Sequence, residues 1–113
     1  MIFGFDFMKN GFIKPYFEDG DDVGEETYQL EDSFIFNDEE VIAYVHLLNG
    51  EIDNVELDLG EIKNEDDILN SNIADDFLIY LQGKTGLKLE RKGDVLITVP
   101  AEGLLEFSVI QAQ

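Results

Sequence analysis

Cysteine and tryptophan are missing from this chain of 113 residues, and histidine occurs once. Without cysteine there are no disulfides, no thiol nucleophile and none of the cysteine-based zinc frameworks. Such a composition fits a reducing compartment. Proline is scarce: Pro15 and Pro100 make no Pro-rich linker, so one domain over residues 1–113 is expected. No run of roughly 18 apolar residues exists to cross a membrane as a helix. The opening six residues carry an acid, Asp6, where a secretory signal has bases. A soluble, cytoplasmic protein is the expectation.

Bases are few as well: 7 Lys and Arg stand against 26 Asp and Glu, giving a formal charge of −19 and a pI near 4.1. That charge keeps the chain away from nucleic acid and anionic membrane. It is unevenly placed. Residues 1–62 hold 17 acids and 2 bases, whereas 63–113 hold 9 and 5. From Pro15 to Ile62 there is no Lys or Arg at all among sixteen carboxylates. A general adaptation to salt or for solubility would spread the charge more evenly.

Nine Phe and four Tyr, with 44% hydrophobic residues, are ample for one core and exclude a disordered acidic tail. Ile2 to Phe7 alternates with period two and reads as a strand. Asn10-Gly11 then suggests a tight hairpin turn into a returning strand, Phe12 to Phe17, with Pro15 marking an edge or bulge. Thr27–Leu30 and Phe34–Phe36 are short strands. Val41–Leu48 is apolar on both faces except for Tyr44 and His46, the pattern of a strand covered on both sides. Asn49-Gly50 is a second hairpin signal, and Glu51–Leu59 returns with Glu56 and Asp58 on one face. Leu69, Ile73, Phe77 and Leu81 recur every four residues, which places a helix over about 73–82. Asn72 or Asn64 is the expected cap, and Gly83 the expected stop beside Lys84. Leu87–Arg91 and Asp94–Val99 read as two strands around a Lys92-Gly93 turn. Leu105, Phe107 and Val109 mark the last strand. The fold expected is α+β: a twisted antiparallel sheet built from hairpins, with one main helix on one face.

Enzyme chemistry finds little support. His46 is the lone histidine, set in an apolar strand, and Ser33, Ser71 and Ser108 show no triad setting. No phosphate loop or zinc spacing is present. Asp19, Asp21 and Gly24 fall at positions one, three and six of a calcium loop. Val23 at position five and Leu30 at position twelve break the match, so no metal or cofactor is expected.

Acid fixed on strands suits the binding of a basic surface. Carboxylates on one strand face repeat every ~6.8 Å, and a sheet holds them at less entropic cost than a tail. The candidate contact residues are Glu18, Asp19, Asp21, Asp22, Glu25 and Glu26 in and after the 18–26 loop, and Glu51, Asp53, Glu56 and Asp58 on the second hairpin. Tyr16, Phe17, Tyr28 and Phe34 flank acidic segments as candidate aromatic anchors. The expected partner is a basic protein, foremost a nuclease toxin whose active site the chain would occlude as an immunity protein. A phage-type DNA mimic is the alternative, and an accessory subunit whose acid only aids solubility is the third reading.

Overall fold

A computed structural model describes residues 7–13, 25–36, 38–60, 65–99 and 102–112. Their seven strands form an antiparallel sheet, with two helices between the fifth and sixth strands. The strands are β1 (Phe12–Ile13), β2 (Glu25–Leu30), β3 (Phe34–Phe36), β4 (Glu39–Leu48), β5 (Glu51–Asp58), β6 (Lys88–Val99) and β7 (Leu104–Ala112). The helices are α1 (Glu65–Leu69) and α2 (Ile73–Thr85). Spatial order is β1-β2-β4-β5-β7-β6, with β3 pairing the start of β4. β5 and β6 both run antiparallel to β7, so they are parallel to one another. The helices make the crossover between them, and β7 fills the gap, a split β-α-β arrangement.

Turn chemistry sets the central hairpin. Asn49 and Gly50 both have positive φ, 52° and 86°, as the favoured two-residue turn requires. Leu47 pairs with Ile52 but His46 pairs with Asn54, which leaves Asp53 as a bulge. At the other end of β5, the Leu59 amide donates to the Gly103 carbonyl at 2.9 Å. Gly103 has a φ of 72°, and a Cβ there would lie 1.3 Å from the Gly60 carbonyl oxygen, so only glycine fits.

The core lies between one face of the sheet and the helix layer. Val41, Ala43, Val45 and Leu47 of β4 face it, with Ile52, Val55 and Leu57 of β5 and Leu105, Phe107 and Val109 of β7. Ile73, Ala74, Phe77, Leu78 and Leu81 of α2 close over them. Phe77 meets Phe34 edge-on at 5.1 Å. Burying each such side chain is worth about 1.5–3 kcal/mol.

Several expectations change. α2 does begin after Asn72, with Asp75 and Asp76 in its first turn near the positive end. It does not stop at Gly83: the helix runs through Lys84 and Thr85 to Gly86, whose φ of 75° forms the left-handed cap. Lys92-Gly93 is no hairpin turn. β6 is one strand, kinked by irregular register between Lys92 and Leu96, because β7 is long enough to pair with both halves. Asn10-Gly11 does not form the two-residue hairpin turn, since Gly11 alone of the pair has positive φ. Phe7 sits in a short 3-10 turn, Phe7–Lys9, and β1 pairs with β2. The strand expected over 2–7 otherwise lies outside the described residues, as do 14–17. Most consequentially, the described residues cover β4 on one face only.

Candidate functional site

Side chains alternate across a strand, so directly paired residues share a face. The register therefore defines the face that the helices leave bare. One row crosses the whole sheet: Ile13, Gln29, Tyr44, Glu56, Glu106 and Leu96. The next row is Thr27, His46, Asn54, Ser108 and Lys92. On the far side of the first lie Ile42, Asp58 and Leu104. Leu48 pairs with Glu51, and Ile110 with Glu90, on the same face.

Three features set this face apart. First, β2, β4, β5 and β7 contain no Lys or Arg. The ion pair that joins a described carboxylate to a described Arg, Asp75–Arg91 at 3.3 Å, lies away from this face, between α2 and β6. Second, six of the eight exposed large hydrophobics of the described structure belong here: Ile13, Ile35, Ile42, Leu48, Leu96 and Ile110, 40–60% exposed. Such clustering on one face, rather than single scattered residues, marks an interaction surface. Third, the polar groups at its centre are tied together. His46 Nε2 lies 3.2 Å from Glu56 Oε1 and its Nδ1 2.9 Å from Thr27 Oγ1. A carboxylate only accepts, so in the neutral ring Nε2 carries the proton and the Thr27 hydroxyl donates to Nδ1. Asn54 Nδ2 donates to Glu106 Oε2 at 3.2 Å, while Asn54 Oδ1 is buried without a donor.

Electrostatics follow the same geometry. Burial, then the charges of Asp58 and Glu56, raise the Tyr44 phenol above its usual 10.0. Glu56 and Glu106 stand directly opposite one another, a like-charge pair that costs the free fold stability.

The expected contact residues that are described do not all share one surface. Glu51, Glu56 and Asp58 are on the uncovered face, and Asp53 projects from the bulge beside it. Glu26 pairs in register with buried Leu47, which sets it at the rim of the helix-covered side, where it accepts a hydrogen bond from Tyr28 Oη at 3.1 Å. Glu25 opens β2 opposite Leu48. Glu18, Asp19, Asp21, Asp22, Tyr16 and Phe17 lie outside the described residues, and with them most of the calcium-loop resemblance. The two described aromatic candidates serve the chain's own interior. Phe34 is buried against Phe77 and Tyr80, and Tyr28 stacks on Phe7 at 4.9 Å. Among the described residues the exposed large hydrophobics are aliphatic instead.

His46 lies half-buried on the uncovered sheet face, outside the core. Thr27, His46 and Glu56 occur in the order of an acyl-transfer triad. They lie next to one another across a sheet face, Thr27 on β2, His46 on β4 and Glu56 on β5. What the network does is hold Glu56 in place. Among the described residues no three His, Asp or Glu side chains are grouped to hold a metal ion. No described helix is long and apolar enough to cross a membrane. Comparison with family models, with curated proteins and with solved structures finds no match.

Proposed function

We propose that this chain is an acidic inhibitor of the immunity-protein kind, which binds a nuclease-type toxin and occludes its basic active site. The observation that carries the reading is the uncovered sheet face, where carboxylates and exposed aliphatic side chains interleave with no Lys or Arg in four adjacent strands. A nuclease groove is cationic because it holds phosphates, so it is attracted to this face at long range. Charge alone would make a DNA mimic the equal choice. A mimic, though, needs an even field of charge, and Ile42, Leu48, Leu96 and Ile110 interrupt this one. Apolar groups add contact area and shape, the means by which one partner is chosen over other cationic proteins. The cytoplasm is the proposed site of action, where an inhibitor protects the cell that makes the toxin.

Immobilised protein incubated with extract of its source at low salt tests this. The expected result is a salt-eluted fraction with nuclease activity that the free protein inhibits. Retention of many DNA-binding proteins without a nuclease would favour mimicry. A nuclease that is retained but not inhibited would overturn the occlusion mechanism. No salt-sensitive partner at all would leave the acid as an aid to solubility.

A further inference from the structure

Resting on that reading, we propose that the uncovered face is built to seat one arginine side chain of the cationic partner between Glu56 and Glu106, with the surrounding aliphatic side chains sealing it from water. The two carboxylates face each other across β5 and β7, where directly opposed Cβ atoms are about 4.5–5.5 Å apart. Each has one oxygen already held, Glu56 Oε1 by His46 and Glu106 Oε2 by Asn54. No donor among the described residues reaches Glu56 Oε2 or Glu106 Oε1. Asn54 Oδ1 beside them also lacks a donor but is closed off from the surface, so the two carboxylate oxygens are the acceptors on offer. The centre of the face thus has acceptors in excess and its carboxylates oriented. A guanidinium supplies the missing donors, two at once, in a planar fork that spans two carboxylates. Lysine offers a point charge that is more strongly hydrated and fits two separated acceptors less well.

The surroundings argue for the same occupant. Leu96 adjoins Glu106 in the row, Ile42 and Leu104 flank Asp58, and Leu48 and Ile110 stand at the other end of the face. Leu48 and Ile110 border a cleft of about 360 Å³, together with Glu51, Lys92 and Ser108. Its lining is mixed, and Leu48 and Ile110 give it an apolar wall on that side of the arginine. An apolar ring that excludes water lowers the local dielectric and so strengthens the charge pairs inside it. The opposed carboxylates, a liability in the free protein, become an asset only when a cation arrives.

Three capped tripeptide amides, Leu-Arg-Leu, Leu-Lys-Leu and Gly-Arg-Gly, serve as probes in an NMR titration of the intact protein. Leu-Arg-Leu should bind at least about threefold more tightly than either of the others, with shifts centred on Glu56, Glu106 and Leu96. Glu106→Gln should weaken it about fivefold while raising the Tm of the free protein. Glu39→Gln, which removes an equal charge at the rim, should leave binding within about a factor of two. Should Glu106→Gln fail to fold, Glu106→Asp, which withdraws the carboxylate by one methylene, is expected to give the same loss. Equal affinities for the three probes, no shifts at all, or shifts centred on Glu25 and Glu26 would overturn the seat. A captured nuclease that binds Glu106→Gln as tightly as the unmodified chain would also overturn it, leaving the inhibitor reading intact. Absence of any nuclease from the capture experiment defeats that parent reading instead.

Discussion

The two faces of the sheet are made by the same strands and differ only in the parity of their residues. On β4, Val41, Ala43, Val45 and Leu47 are at most 5% exposed, while Ile42 and Leu48 between and beside them are 40% and 43% exposed. On β5, Val55 and Leu57 are sealed under the helices and Glu56 and Asp58 are not. The buried apolar contacts therefore reside on one parity, and the proposed recognition surface on the other. Because the backbone is shared, the interior also fixes the strands from which Glu56 and Glu106 project. Residues of the bare face can still be changed without dismantling the core.

The sharpest break in this comparison comes from truncation. Phe77→Ala should cost about 3–5 kcal/mol in urea unfolding, whereas Leu96→Ala and Ile110→Ala should change stability by no more than about 0.5 kcal/mol. Large losses from the latter pair would mean that the second face is a second core. Gly103→Ala should cost at least about 2 kcal/mol, since its Cβ collides with the Gly60 carbonyl and disrupts the β5–β7 junction that both faces share. Gly83→Ala should do the opposite. Its added Cβ meets nothing within 4 Å and it lies inside α2 without positive φ, so a gain of roughly 0.5–1 kcal/mol is expected in the same assay. Glu106→Gln should also stabilise, by about 0.2–1 kcal/mol, through relief of the opposed charges. Among the described residues no carboxylate-to-amide change on the core side has an equivalent, because none of their charged side chains is buried there.

The smallest effect is a pH dependence confined to the bare face. The folded Tyr44 phenol titrates above the usual 10.0. Its native state thus holds the proton to higher pH than the unfolded chain does. The associated stability is complete below pH 10 and declines as pH rises through the folded value. A phenolate absorbance titration should show Tyr44 ionising above the usual 10.0. In Glu56→Gln/Asp58→Asn that tyrosine should ionise earlier, and in Tyr44→Phe the late step should vanish.

Much of the architecture could be read from the residues alone. Spacing of Ile73, Phe77 and Leu81 located α2, and alternation of Leu105, Phe107 and Val109 located the buried face of β7. Leu69, assigned to the same helical stripe, is instead exposed at the end of α1. Periodicity reports which residues are apolar, not which face finds a cover. Ile42 and Leu48 made β4 look buried on both sides, yet only two helices exist among the described residues and both lie on one side. The Lys92-Gly93 pair has the local chemistry of a turn, and only the length of β7 decides that it becomes a kink. The site was half visible. Glu51, Glu56 and Asp58 follow from strand parity. Glu106, fifty residues away, joins them through a register that no local pattern encodes, and so does the donor-poor centre formed with Asn54.

One comparison of charge-matched variants tests the central claim most directly. Glu56→Gln/Asp58→Asn/Glu106→Gln removes three charges from the bare face, and Asp66→Asn/Asp67→Asn/Asp76→Asn removes three from the helix layer. Each is measured for inhibition of the nuclease that the unmodified protein captures. The account predicts that the first variant loses inhibition by about a hundredfold or more while the second stays within a few-fold of the parent. Equal losses in the two would contradict it, since charge in general, and not this face, would then be what the partner meets.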